Sequence, residues 1–180
     1  MPNNYNTMRN VEFTLVPATL EKYDTYYGFR SDKGDIYWTG FLTAPDYNKM
    51  KKLYLTRCSD TDIGVLGNEK LYFLHVNAGE LDEDVGYVLL YNKNDGFEFA
   101  YSVLGKYRGK GFGTKACELG TKTALKYTSE VYALVRDDNI ASQRVFEKNR
   151  YVRTDIIEER LSPAFGTLKL RRWLYRKNCE

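Results

Sequence analysis

The sequence predicts an α/β (mixed α+β) fold, with a mixed central sheet of about seven strands, an antiparallel meander within that sheet and about four helices. Apolar residues recur at strand or helix spacing in the order β-α-α-β-β-β-α-β-α-β-β. Strands joined by short turns favour antiparallel neighbours, whereas a helix between two strands favours a crossover connection. A chain of 180 residues is long enough for one buried core, so we expect a single domain over residues 1–180.

The first part of the chain predicts a strand, two helices and an aromatic-rich loop. Polar and apolar residues alternate up to Pro17, which predicts a half-buried strand. Thr19 is a predicted N-cap of the first helix, and Asp46 marks the start of the second. Between them, residues 31–34 predict a turn that leads into an aromatic segment at residues 36–41. The supporting apolar positions are Val11, Phe13 and Leu15 in the strand, Leu20, Tyr23 and Tyr27 in the first helix, and Met50, Leu53 and Tyr54 in the second.

An antiparallel meander of three strands follows. The segments Leu71–Val76 and Val85–Tyr91 predict two strands joined by an acidic turn at residues 79–84. Residues 92–96 predict the next tight turn, which leads into an apolar strand over Phe97–Leu104. Short turns on both sides of the middle strand make the antiparallel arrangement the expected one.

The rest of the chain alternates helices with strands. The predicted elements are a helix that begins near Gly111, a strand at Val131–Val135, a helix over Asn139–Asn149, and strands at Tyr151–Ile157 and Thr167–Tyr175. Residues 1–10 are polar, and we expect them to be disordered.

Composition and charge exclude several classes of function. The net charge is only +3 and the basic residues are spread along the chain, so we expect no nucleic-acid partner. No charged segment precedes an apolar stretch at the start, and no apolar run approaches about 20 residues, so we expect a cytoplasmic protein without membrane contact. Cys58, Cys117 and Cys179 form no C-x-x-C pair and His75 is the only histidine, which indicates neither disulfides nor a metal site.

The strongest local signal is the turn Arg108–Gly113, between the strand at residues 97–104 and a helix. It carries three glycines at alternate positions with basic residues beside them. Glycine permits positive φ and leaves backbone amides accessible to a ligand. The first free N–H groups of the helix point into the same turn, close to Lys110 and Lys115. This arrangement favours an anionic ligand such as a phosphate group.

Two known phosphate-binding patterns do not fit this turn. A P-loop requires G-x-x-x-x-G-K-[ST], but Gly105 to Gly109 is one residue too short and Lys110 is followed by Gly111. A dinucleotide fingerprint requires G-x-G-x-x-G, whereas the spacing here is G-x-G-x-G with no suitable acidic residue on a following strand. A flexible surface hairpin is the alternative for a lone glycine-rich turn.

Two segments resemble the GCN5-related N-acetyltransferase (GNAT) superfamily, closest in pattern to its ribosomal-protein N-terminal and polyamine acetyltransferase-like members. Arg108-x-x-Gly111-x-Gly113, between a strand and a helix, resembles the family's coenzyme A pyrophosphate loop. Residues 139–152, after the strand at residues 131–135, resemble its strand-Asn-helix-aromatic segment. The resemblance covers about residues 11–176 and implies the acyl-CoA N-acyltransferase fold, with acetyl-CoA as co-substrate.

The resemblance also implies roles for individual residues. The fourth strand is expected to separate from the fifth at a bulge, where pantetheine pairs with Tyr101, Ser102 and Val103 and the Val103 amide is the oxyanion donor. Glu98 is the expected base for the amine proton, and a solvated or salt-bridged carboxylate without a catalytic role is the alternative. The expected cofactor-binding set is completed by Arg108, Gly109, Lys110, Gly111, Phe112, Gly113 and Thr114 around the pyrophosphate, and by Asn139, Ser142 and Phe146.

One position departs from the family pattern. Seven residues after Asn139 the family usually has a tyrosine whose hydroxyl reaches the cofactor sulfur, but Phe146 has no hydroxyl. The leaving thiolate is then protonated by Tyr101, by Tyr132 or by water, or its protonation is unassisted, or catalysis is weak.

We therefore expect an N-acetyltransferase that transfers the acetyl group of acetyl-CoA to a primary amine by direct attack in a ternary complex. The acceptor is a small-molecule or peptide amine, and both a monomer and a homodimer fit. Trp38 and Phe41, in the region where the family binds acceptors, either line the acceptor slot or cap the core. Two other interpretations stay open: a non-catalytic CoA-binding or regulatory module, which Phe146 favours, and a nucleotide- or RNA-binding domain, whose motifs the chain lacks.

Overall fold

A computed structural model describes residues 11–58 and 62–177, so the predicted disordered segment 1–10 and Cys179 lie outside the described residues. The strands are β1 (Glu12–Pro17), β2 (Glu69–Ala78), β3 (Leu81–Lys93), β4 (Gly96–Val103), β5 (Glu130–Arg136), β6 (Val152–Ser162) and β7 (Gly166–Arg176). The α-helices are α1 (Tyr23–Arg30), α2 (Lys33–Trp38), α3 (Tyr47–Arg57), α4 (Phe112–Ala124) and α5 (Ile140–Lys148). The strands form a seven-stranded sheet in the order β1-β2-β3-β4-β5-β7-β6.

The sheet is antiparallel except between β4 and β5. These two strands are parallel and pair at only two positions, Phe97 with Val131 and Glu98 with Tyr132. The expected separation of the fourth strand from the fifth is therefore present. The expected bulge in β4 is wrong, because the β3–β4 register is continuous along its whole length and the register shifts lie in the β2–β3 and β6–β7 pairs.

Each face of the sheet has its own helices and its own core. Phe99 of β4 packs with α4 and α5 on one face, and Tyr87 and Leu89 of β3 pack with α1 and α3 on the other. We call these the α4 face and the α1/α3 face. Because side chains alternate between faces along a strand, Glu98 and Ser102 of β4 lie on the α1/α3 face.

The architecture confirms the predicted fold class. The sheet has the predicted number of strands, β2, β3 and β4 form the predicted meander, and the described residues contain five α-helices, one more than expected. The helix predicted to start at Asp46 is α3, and Asp46 caps it by accepting a hydrogen bond from Lys49 N–H at 2.8 Å.

The first helix begins later than predicted. Residues Leu20–Lys22 form a single 3-10 turn, in which Lys22 N–H donates to the Thr19 carbonyl at 3.1 Å, and α1 starts at Tyr23. Thr19 makes no side-chain capping bond, so its predicted role as the N-cap of this helix is wrong.

The acidic turn is shorter than predicted. Ala78 pairs with Leu81, so the turn contains only Gly79 and Glu80, and Gly79 has the positive φ of 68° that such a tight turn requires. The acidic residues 82–84 therefore belong to β3 and not to a loop.

Helix α2 occupies residues for which the sequence predicts a turn and an aromatic loop. Asp32 is its N-cap and accepts hydrogen bonds from Gly34 N–H at 2.9 Å and Asp35 N–H at 3.3 Å. The aspartate and glycine that favour a turn here satisfy the first amides of a short helix instead.

Strand β6 is longer than the predicted segment Tyr151–Ile157 and continues to Ser162. Its charged second half reaches partners on the neighbouring strand β7, as when Glu158 accepts a hydrogen bond from Arg172 at 2.7 Å. Cross-strand ion pairs of this kind support a strand that lacks an apolar pattern.

Two helical glycines test the packing on the α4 face. A Cβ at Gly120 of α4 would lie 2.2 Å from the Phe99 ring, whereas a Cβ at Gly28 of α1 would have no heavy atom within 4 Å. We expect Gly120→Ala to destabilise the fold by about 1–3 kcal/mol because it overpacks this contact. Gly28→Ala is expected to be neutral or to stabilise the fold by about 0.5–1 kcal/mol, since alanine is the better helix former. Urea unfolding measures both, and equal effects would contradict the packing.

Candidate active site

A cleft of about 740 Å³ opens where β4 and β5 separate, and it reaches both faces of the sheet. On the α4 face it extends to the glycine turn and to the N-termini of α4 and α5. On the α1/α3 face it extends to α1, α2, α3 and the end of the β6–β7 hairpin. All but two of the predicted site residues line it: Glu98, Tyr101, Ser102, Val103, Arg108, Gly109, Gly111, Gly113, Thr114, Asn139, Ser142 and Phe146.

The edge of β4 that faces the cleft presents backbone groups that β5 leaves unpaired. Leu104 N–H donates to the Val85 carbonyl of β3 at 3.0 Å. Because backbone groups alternate in direction along a strand, those of Val103 and Tyr101 point the other way, into the cleft. The Val103 carbonyl accepts a hydrogen bond from Arg108 Nε at 2.8 Å, while its N–H faces the cleft. An extended ligand that carries amide groups can pair with this edge.

The glycine turn is open toward the cleft. Gly109 and Gly111 have φ values of 75° and 86°, and a Cβ at either position would have no heavy atom within 4 Å. Gly111 is the N-cap residue of α4 and has no side chain with which to bond the first amides of the helix. These amides are therefore available to an anion.

Two predicted cofactor-binding side chains lie away from the cleft. Phe112 is buried and packs against Phe13 and Tyr107, with ring centroids 5.0 and 5.2 Å away. Lys110 Nζ donates to the Lys106 carbonyl at 2.9 Å. Both residues contribute their backbone to the turn, but neither side chain lines the cleft.

Arg108 connects the glycine turn to α2. Its guanidinium donates to Asp32 and to the Val103 carbonyl, and Asp32 also accepts a hydrogen bond from Gly105 N–H at 3.2 Å. Burial alone would raise the pKa of Asp32, but the hydrogen bonds from Gly105 and Arg108 hold it below its usual value. A Cβ at Gly34 would lie 1.7 Å from Arg108 Nη1, so a larger residue there would displace the guanidinium from its present position. The arginine side chain thus fixes the cleft wall.

The N-terminus of α5 forms the opposite side of the cleft. Asn139 Oδ1 accepts a hydrogen bond from Ser142 N–H at 3.1 Å and caps the helix. Ser142 Oγ lies 3.5 Å from the Tyr101 hydroxyl. Burial raises the pKa of Tyr101 to about 12, so this hydroxyl is protonated at neutral pH.

Phe146 is a packing residue whose ring borders the cleft. It is 2% exposed and lies edge-on to the Tyr101 and Tyr151 rings, with centroid distances of 6.0 and 5.0 Å. Of the two tyrosines considered as proton donors, only Tyr101 lines the cleft. Tyr132 donates to Asp95 at 3.1 Å, outside the cleft.

Glu98 lines the part of the cleft on the α1/α3 face. It is 4% exposed, and its carboxylate is paired with Lys93 and with Arg160 Nη2, the latter at 3.0 and 2.9 Å from its two oxygens. These contacts support the salt-bridged alternative. A catalytic role for Glu98 stays a prediction.

Asp35 is a second buried carboxylate in this part of the cleft, and it is absent from the predicted site residues. Its two oxygens accept hydrogen bonds from the Tyr87 hydroxyl at 2.8 Å and from Arg30 Nη1 at 2.6 Å. Burial raises the pKa of Asp35, even though the charge of Arg30 opposes the shift. The sequence contains one signal that could have identified Asp35: the spacing Asp32-x-x-Asp35 is typical of the first turn of a helix.

The end of α2 and the β6–β7 hairpin close one side of the cleft. The Gly40 carbonyl accepts hydrogen bonds from Ser162 Oγ at 2.6 Å and from Ala164 N–H at 3.1 Å. Trp38 and Phe41, the two aromatic residues considered for an acceptor slot, both line the cleft beside this contact.

The family model for the acetyltransferase (GNAT) domain matches residues 12–152. The chain belongs to the GNAT acetyltransferase family. The match spans β4 and β5, the glycine turn and α5. It therefore confirms the resemblance on which the site was predicted. This acetyltransferase is an acetyl-CoA-dependent enzyme, with acetyl-CoA as its co-substrate.

Solved structures share the fold of this acetyltransferase. Aminoglycoside acetyltransferase AAC(6')-Ib in complex with coenzyme A has a TM-score of 0.71 at 16% identity, over 92% of this chain and 95% of that one. Spermidine N-acetyltransferase from Vibrio cholerae, in complex with CoA and spermine, has a TM-score of 0.73 at 15% identity, over 92% and 95% of the two chains. No curated protein sequence gives a significant match.

Over residues 11–58 and 62–177, no helix is long and apolar enough to span a membrane. In the same ranges, no cluster of three or more His, Cys, Asp or Glu side chains is placed to hold a metal ion.

Gly111 and Gly67 provide a matched test of the anion-binding turn. Their φ values are 86° and 87° and both have open space around a Cβ, but only Gly111 lines this cleft. We expect Gly111→Val to lower CoA affinity at least about tenfold, because the side chain fills the space in front of the α4 amides. Gly67→Val is expected to lose stability through the same backbone strain but to keep its CoA affinity. Isothermal titration with CoA measures both, and an equal loss of affinity in the two variants would contradict this site.

Asp32 and Asp46 both cap helices, but only Asp32 also pairs with Arg108. We expect Asp32→Ala to cost about 1–2 kcal/mol at neutral pH and to weaken CoA binding, whereas Asp46→Ala costs about 1 kcal/mol and leaves CoA affinity unchanged. The pKa of folded Asp32 is lowered, so its stabilisation is present at neutral pH and is lost as the pH falls through the folded value. Thermal unfolding of both variants, measured as a function of pH, tests this pH dependence. If Asp32→Ala destabilises the fold as much in acid as at neutral pH, the ion pair between Asp32 and Arg108 is not the source of the stabilisation.

Proposed function

We propose that this acetyltransferase transfers the acetyl group from acetyl-CoA to a primary amine by direct attack, with both substrates bound at once. The observation that carries the proposal is the continuity of the cleft, which joins the open β4 edge and glycine turn to two buried carboxylates on the other face. Direct transfer requires the amine and the thioester to meet in one site.

An acyl-enzyme route has less support. Such a route needs an activated nucleophile at the site, and neither described cysteine lines the cleft. Burial raises the pKa of Cys117 to about 12, which keeps its thiol protonated and unreactive. Direct attack is therefore the simpler chemistry for these residues.

The α4 face supplies the cofactor contacts. The backbone of Tyr101 and Val103 is positioned to pair with the pantetheine arm, and the Val103 N–H would stabilise the oxyanion that forms on the acetyl carbonyl. The glycine turn and the first amides of α4 would hold the pyrophosphate. The turn residues that border the cleft are Gly109, Gly111, Gly113 and Thr114.

The α1/α3 face supplies the acceptor contacts. We call this part of the cleft the acceptor pocket; its polar lining consists of Arg30, Asp35, Thr39, Arg57, Tyr87, Tyr91, Glu98, Ser102, Arg136 and Arg160. As the amine nitrogen bonds to the acetyl carbon and the carbon–sulfur bond breaks, one amine proton must leave. Asp35 is the better-placed acceptor of that proton, because burial raises its pKa and brings it closer to neutrality. The protonated Tyr101 hydroxyl would stabilise the departing thiolate by a hydrogen bond.

The experiment that tests the proposal follows free thiol release from acetyl-CoA with a panel of primary amines. Initial rates measured against both substrates should give intersecting lines, which indicate a ternary complex. CoA binding without thiol release for any amine would overturn the proposed activity, and parallel lines would overturn direct attack.

Asp35 and Glu98 can be separated by matched substitutions. We expect Asp35→Asn to lower kcat by about 10²- to 10⁴-fold and Glu98→Gln to have a smaller effect, since Glu98 is paired with two cations, Lys93 and Arg160, and Asp35 with one. A base must be deprotonated to act, so kcat/KM of the unaltered enzyme should fall as the pH drops through the raised pKa of Asp35. Steady-state kinetics, with CoA affinity as a check on folding, measures both. A greater loss in Glu98→Gln would assign the base to Glu98.

A further inference from the structure

The acceptor pocket is rich in arginine, and this bears on which amines it takes. Resting on the proposed function, we propose that the acceptor amine also carries an anionic group, which the pocket arginines bind, and that the acceptor is not a polyamine. Guanidinium groups recognise carboxylates and phosphates through paired hydrogen bonds.

The charges in the pocket are unevenly placed. Arg30, Arg57, Arg136 and Arg160 line it, against two carboxylates, Asp35 and Glu98, that are already ion-paired. A second cation would find few free carboxylate oxygens here.

The carboxylates that neutralise the other arginines stand outside the pocket. Arg57 pairs with Glu69 at 2.7 Å, and Arg136 pairs with Asp138 at 2.5 Å. Neither acidic partner lines the cleft, and the Asp138 side chain is 55% exposed. Solvent screens these outer carboxylates, so the positive side of each pair faces the pocket.

Two of these arginines keep buried N–H groups without a partner. Among the described residues, Arg30 Nε and Arg136 Nη1 are buried and make no hydrogen bond. A buried unpaired donor on a charged group is costly, and a ligand acceptor would remove that cost. Both arginines line the pocket, so an anion bound there would lie beside guanidinium groups whose hydrogen-bonding capacity is not filled within the protein.

Arg136 is also held rigidly. Its guanidinium carbon lies 5.0 Å from the Tyr37 ring centroid, 5.1 Å from that of Trp38 and 4.8 Å from that of Phe165. These rings come from α2 and from the turn between β6 and β7. Cation–π contacts on several sides fix the orientation of the guanidinium before any ligand arrives. Arg136 is therefore the strongest anchor for the anionic group.

An acceptor pocket that binds an anionic group would distinguish this chain from proteins whose fold it shares. The solved structures that match include complexes with spermine and with kanamycin. In this pocket a polycation would face four arginines and two carboxylates that are already paired, which opposes its binding by like-charge repulsion.

The first experiment compares matched amines with the purified full chain and acetyl-CoA. The panel contains an amino acid, its carboxamide, an aminoalkyl phosphate, spermidine and kanamycin, and thiol release gives kcat/KM for each. We expect the amino acid or the aminoalkyl phosphate to exceed the carboxamide by about tenfold or more and to exceed both polycations. Comparison of kcat/KM for the amino acid and the aminoalkyl phosphate shows whether the pocket prefers a carboxylate or a phosphate. Equal or faster acetylation of the carboxamide or the polycations overturns the inference, whereas no acetylation of any amine counts against the proposed function itself.

The second experiment assigns the anchor. We expect Arg136→Gln to raise KM for the anionic amine by about tenfold or more, with little change for the carboxamide or in CoA affinity. Arg172→Gln is the matched control, because Arg172 is also ion-paired, lies over the Tyr132 ring and has a buried unpartnered Nε, but does not line the cleft. Arg136→Lys, which keeps the charge and loses the planar fork, should give an intermediate KM and guards against a folding defect. The same KM change in Arg136→Gln and Arg172→Gln, or an equal rise for the carboxamide, overturns the assignment.

Discussion

The incomplete pairing of β4 with β5 is the constraint on which the rest of this structure depends. Two parallel strands in the middle of a sheet pair at only two positions, which leaves a row of backbone donors and acceptors without a neighbouring strand. Buried backbone groups must be satisfied by some partner, so the gap creates a binding edge for a chain-like ligand with amides. The position of the site in the centre of the sheet follows from this gap.

The gap also divides the chemistry between two faces. Tyr101 and Val103 turn toward α4, where the first helical amides and the glycine turn favour negative charge. Glu98 and Ser102 turn toward α1, α2 and α3, where buried arginines and carboxylates line the pocket. A single strand thus contributes residues to both parts of the cleft, because alternate residues of β4 face opposite sides of the sheet.

Local backbone features were the part of this protein that its sequence predicted well. The glycine turn, the helix predicted to begin at Asn139 and the meander depend on neighbours within a few residues, and the amino-acid pattern records them directly. The partners of charged side chains are different. Asp32 and Arg108 are 76 residues apart in the sequence, and Glu98 and Arg160 are 62 residues apart. Nothing in the local pattern therefore identifies either pair. Asp35 was missed for a related reason, because the helix that carries it is short and begins with residues that also favour turns.

The position of β7 has a consequence for the newly made chain. The last of the seven described strands in chain order lies between β5 and β6, and its hairpin with β6 supplies the contact to Gly40. Until β7 emerges from the ribosome, β5 has an open edge and β6 has no strand beside it. Open strand edges promote pairing between molecules. A nascent chain stalled before β7 would already carry the glycine turn and α5. It would also present two unpaired strand edges to its neighbours on a polysome. Pairing of β7 with β5 and β6 therefore protects the protein from aggregation during translation.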